Sequence, residues 1–353
     1  MMERFMLISG LSIFMLFLGA SQSSAYGESS FKDDVDFLKK HVTVITLKDG
    51  ETGGEIAVVP EYQGRVMTSS ADGAEGLSFG WINRSLIESK KFEPHINVFG
   101  GEDRFWIGPE GGQYGIFFAP NTPFDFEHWQ TPAVIDTEPF EVVSQNDRQV
   151  LFRKEAKLKN WSGTEFQILI DRTVSVLSKE QIAGALGVRI SQNIKYVGVE
   201  SKNKITNTAA DDWNKEKGLL SIWILGMFNP SPDTTIVIPF LPGPENDLGP
   251  KVNDAYFGKV PPERLVVKEN ILFFSGDGQY RSKIGISPKR ALSVFGSYDA
   301  KNKVLTIVQY SKPDSPKPYV NSMWEMQKDP YGGDVINSYN DGPVGPGQKP
   351  LGP

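Results

Sequence analysis

From residue 41 onward, short runs of alternating apolar and polar residues recur about every dozen positions. Such period-two alternation is what a half-buried strand demands, because successive side chains point to opposite faces. It predicts strands over residues 41–47, 55–60, 150–154, 164–170, 171–176, 219–225, 235–239, 271–274 and 304–310. The Lys48-Asp49-Gly50 triplet reads as the turn that closes the first of them. Helical periodicity is scarce: residues 31–40 form one short amphipathic stretch, and residues 179–186 are the other candidate.

With 35 Gly and 24 Pro as punctuation between the runs, the pattern predicts an all-β chain. No fixed-period repeat is present, which argues against a propeller. No long linker divides residues 26–353, so they are read as a single β-sandwich domain. Residues 341–353 form a Pro/Gly-rich tail; its prolines lack the N–H that a central strand must donate.

The N-terminus follows a different rule. Arg4 precedes an almost unbroken apolar run over residues 5–20, followed by the small, polar Ser21-Gln22-Ser23-Ser24-Ala25. This predicts a signal peptide over residues 1–25, cleaved after Ala25, and a periplasmic or secreted product. The apolar run falls short of the ~20 residues a membrane-spanning helix needs, so no stable membrane insertion is expected after cleavage. With no cysteine, the chain has no lipoprotein anchor, disulfide or thiolate metal site. A net charge of −6 without any Lys/Arg-rich block argues against nucleic acid as a partner.

The densest chemistry lies in residues 95–112, HINVFGGEDRFWIGPEGG, where a histidine, three carboxylates, an arginine and a tryptophan sit between Gly-Gly pairs. Ions are seldom buried without partners, so this stretch predicts a polar cleft floored by an indole, suited to a carbohydrate ligand. Opening a sugar ring needs a proton donor and an acceptor, and cleaving a glycosidic bond needs two carboxylates. His95, Glu102 and Glu110 are the candidate proton-transfer groups. On an extended segment Glu102, Arg104 and Trp106 share one face, with Asp103 on the other. Trp106 is the candidate stacking platform, and the flanking glycines are expected to let a ligand approach the backbone. Arg65 and Asn83 are candidate hydroxyl-binding groups. Asp334, Asn337 and Asn340 form a second polar cluster, and Glu325 follows a tryptophan nearby. The spacing of that cluster does not match an EF-hand calcium loop, and no metal or other cofactor is expected. Motifs of serine hydrolases, P-loop proteins and dinucleotide-binding folds are missing.

Several segments together resemble the galactose mutarotase-like (aldose 1-epimerase-like) superfamily: Gly64-Arg-Val-Met-Thr68, Gly80-Trp-Ile-Asn-Arg-Ser-Leu-Ile87 and the Gly-Gly-Glu-Asp-Arg-Phe-Trp stretch ending at Trp106. The pieces around residues 240–249, 280–288 and 333–342 look like an uncharacterised bacterial branch, a domain of unknown function. The resemblance implies a β-supersandwich of two large antiparallel sheets, with a concave face open to carbohydrate and acid/base chemistry at an anomeric centre. It also implies a second histidine on a central strand, but the chain has only His41, His95 and His128; near residues 197–207 it offers Glu200. The family's late general-base glutamate is expected beyond Pro353. A non-catalytic glycan-binding or accessory module, or a glycan-cleaving enzyme, is the alternative.

Overall fold

A computed structural model describes residues 29–343 and 352. The expected signal peptide, and residues 344–351 and 353 of the tail, lie outside the described residues.

The chain passes through helix α1 (Phe31–Lys39), strands β1 (Ile45–Lys48), β2 (Glu55–Val59) and β3 (Arg65–Ser70), helix α2 (Arg84–Ser89) and strand β4 (Arg104–Gly108). Next come β5 (Glu141–Gln145), β6 (Gln149–Lys159), β7 (Glu165–Val176), α3 (Lys179–Leu186), β8 (Val199–Asn207) and β9 (Ser221–Leu225). The last third holds β10 (Thr234–Pro239), α4 (Glu245–Leu248), β11 (Leu265–Val267), β12 (Ile271–Ser275), β13 (Ser282–Ile286), β14 (Val294–Asp299), β15 (Val304–Gln309) and β16 (Ile336–Asn340). All strand pairs are antiparallel, in the orders β1-β2-β3, β5-β6-β7-β8, β11-β12-β10-β14-β15, β4-β9 and β13-β16. The all-β class expected from the pattern is what the chain adopts.

Local chemistry explains the elements. Ser30 and Asp33 form a reciprocal capping box at the start of α1, and Ser178 and Gln181 do the same for α3. Residues 41–44 do not join β1, because the N–H groups of His41 and Val42 still bond to the Leu38 carbonyl at the end of α1. Residues 164–176, read from sequence as two strands, contain the single twelve-residue β7, Glu165–Val176. Its partner β6 matches it residue for residue from Gln149↔Ser175 to Lys159↔Glu165, so nothing breaks the ladder at Asp171.

Apolar faces of β2, β3, β4, β6 and β7 meet in one core through Ile56, Val66, Phe105, Phe152, Phe166 and Ile170. A second cluster, with Ile238, Phe274, Ile284 and Ile336, joins β10, β12, β13 and β16. Each such large side chain contributes roughly 1.5–3 kcal/mol on burial. No helix among the described residues is long and apolar enough to cross a membrane.

Candidate functional site

A groove with a volume of about 2560 Å³ is bounded by α3, β8, β9, β15 and β16. Its polar floor comes from the segment that enters and leaves β4, which carries Glu102, Asp103, Trp106 and Glu110. The segment is placed by β4 pairing with β9, which sets Trp106 opposite Trp223, another groove-lining residue.

Glu102 is held by its neighbour strand: Ser69 of β3 donates its backbone N–H (2.6 Å) and its hydroxyl (2.7 Å) to the two carboxylate oxygens. Burial pushes the Glu102 carboxyl up to about 7, against the lowering effect of those hydrogen bonds, with Asp103 adding to the rise. Asp103 is itself tied down. It pairs with the buried Arg172 of β7 and accepts from the Ser201 hydroxyl of β8 at 2.8 Å. Arg172 also donates to the carbonyl of Gly64 (3.0 Å) and to Asn203 (2.6 Å), so one guanidinium joins β7, β8 and the turn before β3.

Glu110 accepts from the indole N–H of Trp106 at 3.0 Å. Burial raises its carboxyl above the ordinary range, and the Lys283 ammonium and the Trp106 hydrogen bond act in the opposite direction. Lys283, on β13, has the converse problem: burial lowers it to about 8, while Glu110 and Asp334 favour its charge. The groove therefore holds two acids, and one base, Lys283, sits against the lining rings of Tyr256, Tyr339 and Trp223; the protonation of all three is moved toward neutral pH.

Of the residues singled out from sequence, Glu102, Asp103, Trp106, Glu110, Glu325, Asn337 and Asn340 all line this groove. Three of these differ from expectation in detail. Trp106 is 2% exposed, with the Arg104 guanidinium 4.3 Å over its ring and Phe117 packed beside it, so little ring surface remains for stacking on a sugar. The Asn337 amide donates to the Asp334 carbonyl (3.1 Å), and Asn340 bonds to Asp277, Gly278 and Tyr280, so both side chains are engaged inside the protein.

The others do not reach the groove. Arg104 is 1% exposed and is locked to the Asp136 carboxylate (2.9 Å) and the Ile135 carbonyl (3.0 Å). Residues 135 and 136 cover Arg104 itself, although Glu102 and Trp106 on either side of it line the groove. Arg65 is fully buried and supports the backbone by donating to the Gly100 carbonyl (2.9 Å) and to Gln63 (3.1 Å). Asn83 is the N-cap of α2, accepting from Leu86 N–H and donating to the Val98 carbonyl at 3.0 Å. His95 donates through Nδ1 to the Trp129 carbonyl (2.6 Å), and its ring packs 4.5 Å from Phe126 on the rim. Asp334 accepts from Asn253 at 2.9 Å, away from the lining, and burial raises its carboxyl.

The glycine pairs admit protein, not ligand. A Cβ on Gly101 would come within 2.7 Å of the Arg65 side chain, and one on Gly112 within 2.3 Å of Gln327. Both glycines have positive φ, which an L side chain seldom adopts.

Sequence reasoning missed Ser69, Arg172, Lys283, Tyr256 and Tyr339, because each lies far in sequence from the motif it joins. No group of three or more His, Asp or Glu among the described residues is placed to hold a metal ion.

Residues 29–353 match the profile of a family of unknown function, DUF6786. No curated protein shows detectable sequence similarity to the chain. Among solved structures, the chain is similar to a galactose mutarotase-like protein from Lactobacillus casei ATCC 334, at 10% identity and a TM-score of 0.43, covering 73% of this chain and 76% of that one. It is also similar to the Slr1438 protein from Synechocystis sp. PCC 6803 (17% identity, TM-score 0.38, 72% and 76% covered). A third similar structure is a candidate aldose 1-epimerase from Escherichia coli K12 (13% identity, TM-score 0.35, 85% and 94% covered).

Proposed function

This chain belongs to the DUF6786 family of unknown function, and from that premise we propose that it is an exported protein whose groove engages a carbohydrate and transfers protons at the anomeric centre. Glu102 is the proton-transfer group and Glu110 its partner at the far side of Trp106. The observation that carries this reading is the state of Glu102: a groove-lining carboxyl held in one orientation by two Ser69 donors, with burial bringing it to about 7. A general acid/base is most effective when its pKa lies near the working pH, where it contributes about 10²–10⁴-fold. Asp103, pinned by Arg172 and Ser201, supplies a fixed negative charge beside it. Export rests on the apolar run over residues 5–20 and the small-residue site ending at Ala25.

The test is a panel of mono- and disaccharides screened by thermal shift, with anomeric exchange of each binder followed by NMR. Expected is at least one binder whose exchange is accelerated by the native protein and abolished in Glu102→Gln, with binding retained. A binder that shows neither exchange nor cleavage would reduce the reading to glycan binding. Cleavage products in place of exchange would make it a glycan-cleaving enzyme. A panel with no binder would remove the carbohydrate reading altogether.

A further inference from the structure

The β13 end of the groove is built unlike the rest of the protein. Fully buried arginines elsewhere are supplied with oxygen acceptors: Arg65 with Gly100 and Gln63, Arg104 with Asp136, Arg172 with Asp103, Arg290 with the carbonyls of Leu241 and Gly249. At the start of β13 two half-buried cations, Arg281 just before the strand and Lys283 within it, have none. Neither Lys283 nor Arg281 has a side-chain hydrogen bond or ion pair among the described residues. They are walled by rings instead. The Lys283 ammonium lies 3.9 Å from the ring centre of Tyr256, 4.9 Å from Tyr339 and 5.8 Å from Trp223, and the Arg281 guanidinium lies 4.4 Å over Phe257.

Arg281 immediately precedes β13 and Lys283 is its second residue, so both cations sit at the same end of that strand. Lys283 is in register with Tyr339 on β16. Arg281, Tyr256, Tyr339 and Trp223 all line the groove that holds Glu110. An aromatic cage offsets only part of the cost of desolvating an ammonium ion, because ring quadrupoles attract more weakly than a paired anion does. A caged cation with free donors is therefore a receptor waiting for an oxyanion.

Resting on the carbohydrate reading above, we infer that the groove takes an acidic saccharide, whose anionic substituent docks between Arg281 and Lys283 while the sugar ring lies toward Glu110. Burial holds the Glu110 carboxyl above its ordinary range, so that carboxyl repels the incoming anion less than a fully ionised one would. Tyr256 and Tyr339 supply apolar walls that exclude water from the contact, which strengthens it.

The test compares sugars that differ at C6 alone: galactose against galacturonate and galactose 6-phosphate, and glucose against glucuronate and glucose 6-phosphate. Affinities are measured by calorimetry at low and at high salt. Expected is at least tenfold tighter binding of one acidic member over its neutral counterpart at low salt, narrowing at high salt. Arg281→Gln and Lys283→Met should each remove the preference without weakening the neutral sugar. A larger gain for the uronates would assign a carboxylate, and a larger gain for the phosphates a phosphate ester. Neutral sugars bound as tightly as acidic ones, or a preference that survives in the double variant, would overturn the inference and leave the carbohydrate reading standing. Failure of every sugar to bind would remove both.

Discussion

The indole N–H of Trp106 donates to the Glu110 carboxylate at 3.0 Å, so the aromatic floor of the groove and the acid at its end act as one unit. The ring is fixed by Arg104 over it and by Phe117 tilted against it at 5.4 Å, with Trp129 and Trp324 stacked beyond at 5.5 and 5.4 Å. Its position makes Trp106 an orienting group for Glu110.

Trp106→Phe keeps most of the packing and removes the donor. The expected cost is about 1.5–3 kcal/mol, the range for a hydrogen bond to a charged group, read from urea denaturation. Saccharide affinity should fall about tenfold, the equivalent of roughly 1.4 kcal/mol, measured by calorimetry. Unchanged affinity would separate the floor from the ligand.

Glu102 carries a pH signature. Its carboxyl lies at about 7 in the folded protein, against an ordinary value of 4.5. Between those values the folded state retains a proton that the unfolded chain has released. Stability from this group is therefore fully present below pH 4.5 and is lost as pH rises through 7. The loss is on the order of 3 kcal/mol, and Glu102→Gln should flatten that limb of a stability-against-pH curve. A native curve already flat over this window would contradict the burial of Glu102.

Lys283 works in the other direction. Its ammonium titrates at about 8 when folded and 10.5 when unfolded, so stability should rise as pH climbs through that window. At pH 7 the buried charge is a burden, and Lys283→Met should stabilise the protein by about 1–3 kcal/mol while impairing recognition of the anionic ligand. A lower melting temperature for the variant would show that Lys283 serves the fold.

The Arg104–Asp136 pair is purely architectural, with both side chains almost wholly buried and Asp136 also accepting from the Asn97 backbone (3.0 Å) and amide (2.7 Å). Arg104→Met leaves the Asp136 carboxylate without its cation and should cost about 3–5 kcal/mol in chemical denaturation. A cost below about 1 kcal/mol, the range of a surface pair, would place this arginine in solvent.

Strand periodicity was legible wherever one face is buried and the other wet, as along β7, and the capped helix over Lys179–Leu186 was read to the residue. It failed at β3, where all six residues are buried, and at β16, whose Asn-Ser-Tyr-Asn composition resembles a polar loop. For the candidate site, the 102–110 segment stood out by composition, and four of its ionisable or aromatic side chains do reach the groove. Arg104 shows the limit: alternation gives which residues share a face, but not which of them a distant segment will cover.

The sequence by itself determined the all-β class, the strand-rich organisation and the stretch where charge gathers beside an indole. These follow from local periodicity and from the cost of burying ions, which act on neighbouring residues. Only the tertiary structure decided which ions are spent on holding the fold and which face the groove. Asp136 reaches Arg104 across 32 residues, Arg172 reaches Asp103 across 69, and Lys283 comes to the groove-lining Trp223 ring from a strand far down the chain. A charge's role is set by the partner that desolvates or neutralises it, and in an antiparallel fold that partner comes from strand pairing between distant parts of the chain.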